Sequence, residues 1–167
     1  MADEKKLDII KGAILLEHRG KALYDSVVNT TQNTEVKELF EFLVSEEAKH
    51  IGLLNKQFGL MSKNGAFDLS GEKPGDSTTS DFVITKDIVA GISGAGYEAA
   101  VISAALDFEK KAVDYYSKQA DAAGSEEEKK LYAWFAGWEK GHMKMLAELE
   151  TGIKEQIWYD NSFWPLD

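Results

Sequence analysis

Apolar residues return at helical spacing in four long stretches of this chain, and in each stretch the stripe is interrupted by an acid or by an acid and a histidine. From about Asp3 to Asn29, Leu7, Ile10, Ile14, Tyr24 and Val28 share a face, with Glu17 where a leucine is expected. From about Glu35 to Phe58 the face holds Val36, Phe40, Leu43, Ile51, Leu54 and Phe58, broken by Glu47 with His50 beside it. Thr34 reads as the N-cap of this second helix and Gly59 as its C′ residue. A third helix, from about Ala95 to Ala123, aligns Ile102, Leu106, Val113 and Tyr116 with Glu109. Gly124-Ser125 ends it, and Glu126 to Glu128 suit the first turn of a fourth helix that runs to about Thr151. That helix carries Leu131, Phe135, Leu146 and Leu149, with Glu139 and His142 in the same stripe.

Between the second and third helices, Leu60 to about Thr85 holds Gly65, Gly71, Pro74, Gly75 and a Ser/Thr cluster. A connection of that length inside a compact domain requires a reason, and in a bundle the reason is a crossover from one end to the other. It is also long enough to reach a neighbouring subunit. A short helical piece is expected within 81–96, where Ile84, Ile88 and Ile92 recur by four. Residues 1–152 form the bundle. The 153–167 tail, with Trp158, Tyr159, Phe163 and Trp164, is apolar enough to dock on the bundle or on a second subunit.

The interruptions repeat. Glu47 and His50 stand three apart, as do Glu139 and His142, so each pair points to one side of its helix. Glu17 precedes Glu47 by 30 residues, and Glu109 precedes Glu139 by 30. An offset of 92 residues lays Glu17, Tyr24, Glu47 and His50 on Glu109, Tyr116, Glu139 and His142 without a gap. Two like hairpins about an approximate two-fold axis follow from this. A buried carboxylate costs several kcal/mol unless it is paired or bound to metal. Glu, Glu-x-x-His, Glu and Glu-x-x-His on four helices are what a carboxylate-bridged pair of metal ions requires. Among only three histidines, two fit the pattern. The third, His18, lies about 100° around its helix from Glu17 and belongs to the surface or behind the ligands.

Four carboxylates and two neutral imidazoles balance two divalent ions, and this oxygen-rich set suits Fe or Mn. Glu47 and Glu139 are the natural bridges; Glu17 with His50, and Glu109 with His142, are the terminal sets. Two adjacent Fe(II) ions with open positions can deliver two electrons to peroxide or dioxygen. Tyr24 and Tyr116 lie seven residues beyond their glutamates, on the same face. Core packing with a hydroxyl hydrogen bond is the simpler reading of both. The alternatives are a hydrogen bond to a ligand carboxylate, or protection of the protein during oxidation.

Composition narrows the function further. The chain has 167 residues, enough for one domain with a core, and a formal charge of −10 argues against nucleic acid or anionic membrane as partner. Without cysteine, disulfides, thiolate catalysis and cysteine-ligated clusters are excluded. The N-terminus lacks the apolar segment of a signal peptide, and no run is long enough to span a membrane, so a cytoplasmic protein is expected.

The ligand pattern, from Leu7 to Glu150, resembles the ferritin-like di-iron carboxylate superfamily and most of all its rubrerythrin and erythrin branch. The resemblance implies an all-α four-helix bundle with a long crossover, two iron ions per chain, a homodimer and reduction of hydrogen peroxide. In rubrerythrins the electrons arrive through a rubredoxin-like iron held by cysteines; here an external donor, such as a rubredoxin-like protein, is required. Rubrerythrins also carry a further glutamate three residues after the third-helix ligand, where this chain has Ala112. The symmetric six-residue set is equally at home in ferroxidase centres like those of bacterioferritins. The readings to separate are therefore a di-iron oxidoreductase, a ferroxidase or iron-binding protein without turnover, and a metal-free helical interaction module.

Overall fold

The four stripes do form helices. The computed structural model describes residues 2–72, 83–93 and 96–160, and within them the chain is helical, with no strand. Helix α1 spans Ala2–Val28, α2 Thr34–Asn64, α3 Lys86–Ala90, α4 Tyr97–Asp121 and α5 Glu126–Asp160. Helices α1 and α2 pack as one hairpin and α4 and α5 as the other, with α1 also against α4. Short α3, the helical piece expected in the connection, lies against α5 and α2.

The core divides into two apolar clusters. One gathers Val27, Leu39, Phe40, Ile102, Leu146 and Leu149; the other gathers Ile10, Leu54, Ala112, Leu131, Tyr132 and Phe135. Each long helix passes from one cluster to the other through its glutamate. In α1 the order along the chain is Ile10, Glu17, Val27; in α2 it is Leu39, Glu47, Leu54; in α4 Ile102, Glu109, Ala112; in α5 Phe135, Glu139, Leu146. Helices α1 and α5 therefore run one way, and α2 and α4 the other. The chain between α2 and α4 must travel the length of the bundle, which is the crossover of a ferritin-like helical bundle. Among the described residues, no helix is long and apolar enough to cross a membrane.

Three helix ends, both of α2 and the last of α5, differ from the sequence expectation. Asn33, not Thr34, caps α2: its side-chain oxygen accepts from the Val36 amide at 2.8 Å. Asn is among the strongest caps, and Thr34 already belongs to the first turn. Helix α2 also runs through Gly59 to Asn64. A mid-helix glycine costs about 1 kcal/mol, and burial of Met61 one half-turn later offsets it. The left-handed residue that ends the helix is Gly65, at φ 70°. Gln57 then folds the connection back, donating to the Asp68 carbonyl at 2.7 Å and accepting from the Asp68 amide at 3.0 Å. Ser125 does cap α5, accepting from the Glu128 amide at 3.2 Å while the buried Glu128 carboxylate accepts from the Gly124 amide and pairs with Lys6.

Helix α5 continues past Thr151 to Asp160, because Gly152 lets α3 approach and Ile153 is buried beyond it. A Cβ at Gly152 would stand 2.9 and 3.1 Å from the Val89 methyls. Gly152→Ala is expected to lower stability by about 1–3 kcal/mol through overpacking. Gly137→Ala, in the same helix with nothing within 4 Å of its Cβ, is expected to raise it by up to about 1 kcal/mol. Thermal melts of both variants check the contrast. Of the aromatic tail, Trp158 and Tyr159 continue α5 and are exposed. Phe163 and Trp164, the Pro74-Gly75 and Ser/Thr stretch of the connection, and Ala95 lie outside the described residues.

Candidate metal centre

Helical spacing carries each acid and histidine to one level of the bundle, between the two apolar clusters. Glu17, Glu47, His50 and Glu139 offer one ligand atom each within 4.8 Å of one another, and so do Glu47, Glu109, Glu139 and His142. Glu47 and Glu139 belong to both groups, whereas Glu17 with His50 and Glu109 with His142 belong to one each. All six side chains are buried, none more than 4% exposed. His18 is exposed and takes no part.

Both histidines turn Nδ1 towards the acids. His50 Nδ1 lies 3.0 Å from Glu17 Oε2, 3.1 Å from Glu139 Oε1 and 3.8 Å from Glu47 Oε2. His142 Nδ1 lies 3.1 Å from Glu47 Oε1, 3.2 Å from Glu139 Oε2 and 3.6 Å from Glu109 Oε1. Yet Glu47 Oε1, Glu109 Oε2, Glu139 Oε1 and His142 Nδ1 have no hydrogen-bond partner. His142 Nδ1 and Glu47 Oε1, for one, stand 3.1 Å apart without forming a hydrogen bond. Buried polar atoms are nearly always satisfied in native proteins. Four unsatisfied atoms at one level, all of ligand type and none sulfur, fit two hard or borderline divalent ions.

The protein without metal answers this crowding with protons. Burial first, then the Glu139 and Glu17 charges, pushes the Glu47 carboxyl well above its ordinary value. Burial and Glu139 push Glu109 up to about 8. For the histidines burial acts downward but the carboxylates outweigh it, taking His50 up to about 10 and His142 also upward. Glu139 goes the other way: burial raises it, and the two facing imidazoles more than reverse that, holding it well below the usual carboxylate range.

The tyrosines cross between the hairpins. Tyr24 of α1 donates to Glu109 of α4, and Tyr116 of α4 donates to Glu17 of α1. Both rings are fully buried, so packing and the hydrogen bond to a site carboxylate go together. Each hydroxyl holds a carboxylate that belongs to only one of the two groups. Removing such an outer partner typically costs 10–100-fold in metal affinity. Tyr24→Phe and Tyr116→Phe are each expected to weaken iron binding within roughly that range and by similar factors, as the repeat requires. Anaerobic Fe(II) titrations of the two variants check it, and a large effect at one position with none at the other would deny their equivalence.

Two neighbours were not evident from the sequence. The Trp138 indole stacks on the His50 ring, with centroids 4.8 Å apart and planes at 17°. Phe135 meets the same ring edge-on at 5.3 Å. Phe135 was already placed on the buried face, but the Trp138 contact joins α5 to α2. The only local signal is its position directly before Glu139.

No curated protein matches the chain. Among solved structures, it is similar to a hypothetical protein from Pyrococcus furiosus, with 22% identity, a TM-score of 0.65, and 93% of this chain and 94% of that one covered. That likeness supports the helical fold. The Rubrerythrin family model matches residues 8–150, a stretch that includes both hairpins and all six buried acids and histidines. The chain belongs to the rubrerythrin family.

Proposed function

We propose that this chain is a non-haem di-iron protein that oxidises Fe(II) with hydrogen peroxide or dioxygen, as an oxidoreductase resupplied by an external electron donor. The observation that carries the reading is the sharing of Glu47 and Glu139 between two buried four-residue groups. Glu47 and Glu139, common to both groups, would be held in common by the two ions, and Glu17 with His50, and Glu109 with His142, would each complete one ion's set. When bound, a pair of Fe(II) ions supplies two electrons to one oxidant molecule. The protein's own part is to hold and shield. Tyr24 and Tyr116 keep the terminal carboxylates in place, and Phe135 and Trp138 cover His50 with apolar surface. The Glu47 and Glu109 carboxyls, both raised by burial, would give up their protons to solvent as metal binds.

Ala112 favours a second reading. It is buried three residues after Glu109, where rubrerythrins carry another glutamate, and the offset of 92 residues sets Gly20 opposite it. Neither residue can add a carboxylate, so the ligand set stays at six and symmetric, which suits a ferroxidase centre. Feeding peroxide or dioxygen to iron-loaded protein with an electron donor present distinguishes the two. Oxidant consumption continuing over many equivalents supports the peroxidase or oxidase. Consumption that stops after one round per site supports the ferroxidase, and oxidation no faster than that of Fe(II) in buffer contradicts both.

A further inference from the structure

The repeat is broken beside the centre. Trp138 stacks on His50, and Trp134, one turn earlier on α5, lies 6.4 Å from Trp138 between ring centroids. Lys130, another turn earlier, sets its ammonium 5.1 Å from the Trp134 ring. Positions 130, 134 and 138 thus form an i, i+4 line from a surface lysine to a candidate metal ligand. Both tryptophans are partly buried and pack on the second core cluster. The offset of 92 residues puts Phe42 opposite Trp134 and Glu46 opposite Trp138. Neither counterpart is readily oxidised, so the indole pair serves the Glu17–His50 end alone. Covering an imidazole requires only an apolar ring, and Phe135 already supplies one. It does not require two adjoining indoles leading outward.

We propose that Trp138 and Trp134 are a one-electron relay between the centre and the protein surface. The inference rests on the di-iron reading above. Reduction of one hydrogen peroxide to two waters takes two electrons and two protons. Where bound metal provides only one electron, as in a half-loaded site, the Trp138 indole provides the second. It gives up that electron and its Nε1 proton, and solvent gives the other proton. The neutral indolyl radical at Trp138 then takes an electron and a proton from Trp134. The Lys130 ammonium disfavours a second positive charge on the Trp134 ring, which therefore also ends as the neutral radical. There it is quenched by a one-electron reductant such as ascorbate or a redox protein, or, without one, by addition of dioxygen to the ring.

Protein loaded anaerobically with one Fe(II) per chain is treated with hydrogen peroxide in air without reductant, digested, and its oxygenated residues located by mass spectrometry. Bound iron and consumed peroxide are measured on the same sample. The expected mark is on partly buried Trp134 in preference to Trp158, which is 51% exposed and would meet a diffusing oxidant first. In Trp138→Phe the Trp134 mark should fall to the level of an iron-free control while Trp158 is unchanged. In Trp134→Phe, the less intrusive change, the mark should stay on Trp138. Marking that follows exposure, or a Trp134 mark that survives Trp138→Phe, overturns the relay alone, provided iron is bound and peroxide consumed. Protein that retains no iron overturns the relay and the di-iron reading together.

Discussion

Replacing Glu139 with alanine is expected to abolish retention of both metal ions. Glu139 is common to the two four-residue groups, and both histidines face it at 3.1 and 3.2 Å. Loss of a partner that only orients a ligand costs about 10–100-fold in affinity, so loss of a shared ligand should cost at least that at each ion. Glu17→Ala removes a carboxylate from one group only and should leave one ion per chain. The metal-free protein also suffers, because Glu139 is the acid that raises His50 most and, after Glu109, helps to raise His142. Removing one partner of a buried ion pair typically destabilises by about 3–5 kcal/mol. Glu139→Gln keeps the side-chain shape and should lose the metal with a smaller loss of stability. Metal content per chain after gel filtration, with a melt of each apo-protein, checks the series. Two ions retained by Glu139→Ala would remove the bridge from the account.

The second large effect is the dependence of stability on pH with and without metal. Glu109 has its pKa raised by folding, so its contribution to stability is full below about 4.5 and is lost as pH rises through about 8. His50 is also raised, and its contribution is full below 6.5 and lost as pH rises through about 10. Glu139 is lowered, and its contribution, present above 4.5, is lost as pH falls. The apo-protein should therefore lose melting temperature between pH 6.5 and about 8. Metal binding needs these groups deprotonated, so affinity climbs over the same interval and loading releases protons. A metal at a thousand times its dissociation constant stabilises by about 4 kcal/mol. The gap between loaded and apo melting temperatures should widen with pH, as paired anaerobic melts would record. A gap that narrows would mean that these buried groups are not the ones the metal displaces.

Much of the centre was legible because helices convert spacing directly into facing. Glu47 with His50 and Glu139 with His142 needed only i, i+3 geometry, and the offset of 92 residues joined the two hairpins. The crossover was legible from length and composition. The crossed hydrogen bonds, Tyr24 to Glu109 and Tyr116 to Glu17, were not, since the repeat gives each tyrosine's face but not the helix opposite. Trp138 on His50 is a contact between α5 and α2, and its place directly before Glu139 does not tell which helix it meets. Two helix ends were placed too early, at Gly59 and at about Thr151, next to Gly152. In both places a buried residue beyond the glycine, Met61 or Ile153, carries the helix onward. Tertiary burial outweighs about 1 kcal/mol of propensity.

The measurement that bears most directly on the central claim is iron per chain after anaerobic loading with Fe(II) and removal of excess, followed by the absorbance change on adding peroxide. Two irons per chain, held by the two groups that share Glu47 and Glu139, and a prompt new charge-transfer band are the expected result. A chain that keeps no iron, and no manganese when that is tried in its place, would contradict it. The four buried carboxylates would then be a polar layer of a helical interaction module rather than a metal centre.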